Sequence, residues 1–291
     1  NIKMIGRIND NIVLIDSALM KIDGEKIRFA GNFDLNNFGW DASINLDSFT
    51  LIENSLLSGI VKIQSPYLFE GLNGKIKLED SIIDSLSIAS ISGNFKYNNS
   101  FFYSEKLSFS TKGYNGIIKI HSLTGRQSFN ISGQMDLDGL ISIPILNNTF
   151  NSLSGNVEFQ WQHSSNISEL TAQINLDEGL LLEEGFSALQ ADIGIKKYNE
   201  LYKIKSSGVL TGWNYDPYSW DSIHFQIDHS DDDLSYYQLN ATTLTGDSLK
   251  LHGEREQNGD LIITDLIGAL KKTEINISQP FYINKFDTCI R

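Results

Sequence analysis

A chain of 291 residues, 41% of them apolar, is long enough for one large or two ordinary domains and for a core that needs no covalent staples. Its net charge of -13 and pI near 4.8, with no dense run of Lys or Arg, argue against nucleic acid and against docking on an anionic lipid surface. The single cysteine, Cys289, makes neither an internal disulfide nor a Cys-based zinc cluster, and no apolar run approaches the roughly 20 residues of a membrane-spanning helix.

Taken in chain order, the dominant signal is period two. Ile27, Phe29, Gly31, Phe33 and Leu35 alternate with Arg28, Ala30, Asn32 and Asp34. Ile44 and Leu46 continue the scheme, and Phe129, Ile131, Gly133, Met135 and Leu137 repeat it. Val157, Phe159 and Trp161 follow, then Leu170, Ala172, Ile174 and Leu176, then Ile223, Phe225 and Ile227. Each run puts its apolar side chains on one face of a strand. Turn chemistry separates the runs at Asn98-Asn99-Ser100, Lys112 to Gly116, Asn147-Asn148 and Gln257 to Asp260, about every 8 to 12 residues, which is the spacing of antiparallel sheets. Pro66, Pro144, Pro217 and Pro280 fall near strand ends or in loops, where a missing N–H does little harm. Only Glu183 to Leu189 has helical spacing, and it reads equally as a loop into a strand. The cluster Asp228, Asp231, Asp232 and Asp233 reads as a solvated turn, since it lacks the ligand spacing of a calcium loop.

The predicted fold is therefore all-β with few or no helices: a long curved antiparallel or mixed sheet rolled into a repetitive open groove, β-taco-like, with residues 1–291 as one continuous repeat-like region and no linker. Both termini, Asn1-Ile2-Lys3 and Cys289-Ile290-Arg291, fall inside strand-like patterns and lack a leader, so the chain reads as a fragment of a longer one. A softer repeat of apolar, Ser, Gly, polar, apolar appears at Ile91-Ser92-Gly93, Ile131-Ser132-Gly133 and Leu153-Ser154-Gly155, with echoes at Leu57-Ser58-Gly59 and Ser206-Ser207-Gly208. Glycine weakens a strand, so its recurrence predicts a bend or bulge at a set place.

The stretch Phe38-Gly39-Trp40-Asp41-Ala42-Ser43-Ile44-Asn45-Leu46-Asp47, with its Trp-led strand and Asn-Leu-Asp ending, and the segment Ile275-Asn276-Ile277-Ser278-Gln279-Pro280 followed by Cys289-Ile290, resemble the AsmA-like superfamily of Gram-negative envelope proteins. The resemblance is nearest to its TamB branch, and the Leu-Ser-Gly units are shared with YhdP-type members. Ile275 stands where that family usually has Trp, and Ile277 and Ile290 where it has Leu. The resemblance implies a periplasmic sheet groove, anchored to the inner membrane through a segment outside this chain. It implies phospholipid acyl chains as cargo, and an outer-membrane barrel partner of the TamA or BamA type, bound by a region outside this chain, for the assembly of autotransporters and other barrel proteins. It implies no cofactor.

Physical reasoning permits this independently of family, because an apolar sheet face with no helices to cover it must close on itself, pack on another sheet or hold a ligand. Candidate groove residues are Phe129, Ile131, Met135, Leu137, Val157, Phe159, Trp161, Leu170, Ile174, Leu176, Leu249, Leu251, Ile275 and Ile277. The same alternation suits the interior of a sandwich, in which these side chains touch only one another. A secreted or surface binding module is thus the second reading, with Trp213, Tyr215, Tyr218 and Trp220 as an aromatic platform for carbohydrate or as a cap on the core. An outer-membrane barrel is disfavoured, since the aromatics form no girdles at regular heights. His121, His163, His224, His229 and His252 show no metal-triad spacing, and nucleophile-elbow and phosphate-loop motifs are missing, so the sequence reads as non-enzymatic.

Overall fold

The computed structural model describes residues 2–22, 25–52, 55–67, 71–83, 86–98, 101–111, 114–123, 128–140, 150–181, 184–215, 218–231, 235–255, 261–270, 273–277 and 279–283. All regular structure among them is strand, in an antiparallel sheet that is not closed into a barrel. Of the two arrangements expected, antiparallel or mixed, the described pairings are antiparallel.

Two compact units divide the chain. Residues 1–135 hold β1 (Ile2–Asn9), β2 (Ile12–Ile22), β3 (Glu25–Asp34), β4 (Trp40–Ile52), β5 (Ser55–Ser65), β6 (Leu72–Ile83), β7 (Leu86–Asn98), β8 (Phe101–Ser110), β9 (Tyr114–Leu123) and most of β10 (Ser128–Leu140). Residues 136–291 hold the end of β10, then β11 (Phe150–Ser164), β12 (Ile167–Leu181), β13 (Glu184–Phe186), β14 (Ala188–Tyr198), β15 (Leu201–Tyr215), β16 (Tyr218–Ser230), β17 (Ser235–Thr243), β18 (Ser248–Arg255), β19 (Leu261–Leu270), β20 (Thr273–Ile277) and β21 (Phe281–Ile283). In each unit successive strands pair as a meander, except that β20 and β21 lie in line and both pair with β19. The short strand β13 folds back on Gly179–Leu181 before β14 pairs with the rest of β12. Of the stretch with helical spacing, Glu184–Phe186 is strand and Ala188 opens the next one after a bend at Ser187, with Phe186 in the core at 4% exposure.

Local chemistry explains the turns. Asn9 pairs with Ile12, Ser164 with Ile167 and Tyr198 with Leu201, so each hairpin closes over two residues. The first of each two, Asp10, Ser165 and Asn199, has φ of 50°, 50° and 55°. A left-handed residue there matches the turn to the twist of the strands. The turns expected at Asn147-Asn148 and Gln257 to Asp260, the cores of those at 99–100 and 112–113, and Pro144, Pro217, Asp232, Asp233 and Cys289-Ile290 lie outside the described residues. Leu35, expected on the third strand, lies in the turn beyond it and is 43% exposed.

The repeated Ser-Gly unit has two structural roles rather than one. Gly59 and Gly155 have φ of +139° and +145°, and the strand register shifts beside both. These are bulges that an L side chain would strain. Gly93 and Gly208 instead face large neighbours: a Cβ on Gly208 would meet the ring of Phe225 at 2.7 Å, and one on Gly93 would meet Leu107 Cδ2 at 2.8 Å. At these positions the missing side chain lets a bulky one lie flat along the sheet.

Buried serines accompany the irregularities. Ser104 is 1% exposed, and its Oγ donates to Asn94 O at 2.6 Å, where the β7–β8 register shifts. Ser81, also 1% exposed, accepts from Ser58 N at 3.1 Å. A bulge frees backbone groups from the ladder, and a hydroxyl is small enough to satisfy them inside the fold.

Candidate ligand-binding face

Because directly paired residues share a face, register can be followed across the second unit as continuous rows. Val157, Ile174, Ala191, Gly208, Phe225, Leu239, Leu251, Leu266 and Ile277 form one row over nine strands. At about 4.8 Å per strand this row is about 38 Å long. A second row runs Gly155, Leu176, Leu189, Leu210, Ile223, Ala241, Leu249, Gly268 and Ile275. On the other side of the first row lie Phe159, Ala172, Ile193, Ser206, Ile227, Tyr237 and Gly253, then Trp161, Leu170, Ile195 and Ile204.

Burial falls along the strands. Leu176, Leu210, Ile223 and Ala241 are 3%, 6%, 7% and 2% exposed. Ile174, Phe225, Leu239 and Leu251 in the next row are only half-buried. Trp161, at the far end of β11, is 41% exposed, with its indole Nε1 donating to Ser168 Oγ at 2.8 Å. On β11 to β16 the face is thus covered at one edge of the strands and more open at the other, whereas on β18 and β19 the order reverses, with Gly253 buried and Ile263 4% exposed. A sandwich interior would bury the middle row as deeply as the first.

In the first unit the same alternation gives the row Ala18, Phe29, Ile44, Val61, Ile76, Gly93, Leu107 and Ile118, half-buried except for Ala18 at 3% exposure.

Val157, Phe159, Trp161, Leu170, Ile174, Leu176, Leu249, Leu251, Ile275 and Ile277 thus all lie on one face of the second unit. Phe129, Ile131 and Met135 alternate with exposed Asn130, Gln134 and Asp136 on β10, where Leu137 is buried at 8% exposure. Sequence reading missed many of the residues that complete the lining, among them Ala191, Ile193, Ile195, Leu210, Leu239 and Leu266. Their period-two spacing was the available signal, interrupted by Gly194 and Gly208.

The opposite face is polar. Gln173, Asn175, Gln190, Asp192, His224, Gln226, Gln238 and Asn240 line a shallow cleft across β12 to β17. Among the proposed platform residues, Trp220 is 8% exposed and Trp213 half-buried, which is the geometry of a cap on the core. The side chains of Tyr215 and Tyr218 lie outside the described ones.

One polar group interrupts the apolar face. His229 Nδ1 lies 2.9 Å from Ser235 Oγ and 3.2 Å from Tyr237 OH, and its Nε2 lies 3.3 Å from Asp231 Oδ1. The side chain of His229 is 16% exposed, so it is more buried than the solvated position read from the sequence. His224 is exposed as expected, and Asp228 pairs with Lys205 at 2.9 Å. Ser235 is 1% exposed, and its Oγ accepts from Ser230 N at 3.1 Å. A hydroxyl enclosed in this way ties β16 to β17; it presents no face to a substrate.

No family model, no curated protein and no solved structure matches this chain.

Proposed function

We propose that the apolar face of each unit holds lipid acyl chains, and that the chain is part of a periplasmic scaffold moving phospholipid between the inner and outer membranes of a Gram-negative envelope. The observation that carries this reading is the row from Val157 to Ile277, apolar or glycine at every step and half-buried over much of its length. Each lipid methylene removed from water there contributes about 0.8 kcal/mol. A lining of similar side chains repeated from strand to strand gives a tail many equivalent positions and no deep trap, which suits passage better than storage. The resemblance of Trp40 to Asp47 and of Ile275 to Pro280 to the AsmA-like superfamily, nearest the TamB branch, supports the envelope setting. On that resemblance rests the further reading that a barrel partner of the TamA or BamA type engages the longer protein during outer-membrane protein assembly.

The test is native mass spectrometry of the chain after expression in a Gram-negative periplasm, followed by solvent extraction and lipid analysis. Phospholipid adducts in one or several copies are expected. A protein that is lipid-free and folds cooperatively would transfer the apolar rows to an ordinary packed interior and remove the proposal.

A further inference from the structure

The net charge is unevenly distributed. Residues 1–135 carry thirteen Lys and Arg against thirteen Asp and Glu, and residues 136–291 carry ten against twenty-three. All of the -13 therefore belongs to the second unit. Within the neutral first unit, register collects cations that lie far apart in sequence. Lys62 stands directly opposite Lys75, and Lys75 and Lys106 both flank Asn94 on the outward face of β5 to β8. Like charges directly opposed across strands are unfavourable, and the acids on this face, Asp41 in one cleft with Lys62 and Lys75 and Glu105 in another with Lys96 and Lys106, are fewer than the lysines. Glu79 is taken by Lys77 at 2.6 Å, Glu105 accepts from Tyr103 OH at 2.5 Å, and Asp41 accepts from the Asn32 amide at 2.7 Å. Among the described residues no ion pair involves Lys62, Lys75, Lys96 or Lys106, and all four are exposed.

We propose that this outward face of β5 to β9 docks on an anionic lipid bilayer. Its cations are lysines, compact point charges that respond to the field of an anionic surface and require no single bidentate geometry. They spread over a sheet surface in two dimensions. At the hairpin end beside Lys96 the same face carries Phe101 and Tyr103, 37% and 36% exposed, Phe101 stacked on His121 and Tyr103 meeting that ring edge-on. Exposed aromatics bordering lysines are the side chains that settle at headgroup level. The inference concerns the face opposite the apolar rows and does not depend on acyl-chain binding.

The experiment is co-sedimentation of the whole chain with vesicles of phosphatidylcholine alone and of phosphatidylcholine doped with phosphatidylglycerol. Binding is expected only to the doped vesicles and is lost as salt shortens the screening length from about 30 Å to about 3 Å. Lys62→Gln, Lys75→Gln and Lys106→Gln each lower the partition coefficient about fivefold, since a lysine near such a surface contributes about 1 kcal/mol. Lys75→Arg retains binding, which separates charge from folding, and Lys250→Gln in the second unit leaves it unchanged. Equal binding to undoped vesicles overturns the proposal, as does indifference to the three Lys→Gln changes. Salt-sensitive self-association without vesicles, abolished by those same changes, assigns the face to an acidic second copy instead and equally overturns it.

Discussion

Replacing Ile174 by Asp, beside Gln173 replaced by Asp, tests the acyl-chain reading with two adjacent residues. Ile174 lies between Val157 and Ala191 in the central apolar row, and Gln173 lies between Glu158 and Asp192 on the polar face. Full burial of an isoleucine stabilises a fold by about 1.5–3 kcal/mol. Ile174 is only half-buried, so its loss costs about half of that, on the order of 1 kcal/mol, and the domain stays folded. The effect on a bound tail is larger, because a carboxylate stays hydrated and strips two or three methylenes from contact, about 2 kcal/mol at 0.8 kcal/mol each. A tenfold change is about 1.4 kcal/mol, so affinity for a fluorescent fatty acid should fall about 30-fold in Ile174→Asp and stay unchanged in Gln173→Asp. Titration with the fluorescent acid, with a thermal melt of each variant, gives both numbers. Equal losses from the two faces, or full affinity in Ile174→Asp at unchanged melting temperature, would refute the reasoning.

Other outcomes follow from the same geometry. Gly155→Ala places a Cβ 2.3 Å from Asn175 O at a φ of +145° and should cost about 1–3 kcal/mol in denaturant unfolding, while Gly185→Ala, with nothing within 4 Å, should be near neutral. Ser104→Ala removes the donor to Asn94 O and should lower stability by about 0.5–1.5 kcal/mol. Lys62→Gln relieves its opposition to Lys75 and should raise stability by about 0.2–1 kcal/mol, an effect that fades in high salt. Burial raises the Tyr114 phenol above its ordinary value of 10.0 despite an opposing hydrogen bond with Thr111. The unfolded phenol therefore ionises first. The stability it contributes is full below about pH 10 and is lost as pH climbs towards the folded value, so Tyr114→Phe should flatten that alkaline fall in pH-dependent melts.

Alternation was enough to identify the strands and to sort side chains between faces, because a side chain's face is a local property of the pleat. Thus Val157 with Phe159 and Trp161, and Ile174 with Leu176, could each be set on one face of a strand from spacing alone. The envelope setting proposed above rests on the resemblance at Trp40 to Asp47 and not on spacing.

Register belonged to the tertiary structure. It depends on where bulges such as those at Gly59 and Gly155 insert a residue, and on which hairpins close over two residues; these offsets accumulate across strands. Register set Lys62 opposite Lys75 and gathered a basic face inside an acidic chain that has no basic run. It likewise brought His229, Ser235 and Tyr237 into one buried cluster, and decided that Leu176 is covered while Trp161 stays open. Sequence by itself determined the two faces of the sheet, since each residue's side is fixed by its immediate neighbours. Only the folded sheet decided which residues meet across strands and how deeply each lies, since both depend on offsets summed over distant segments.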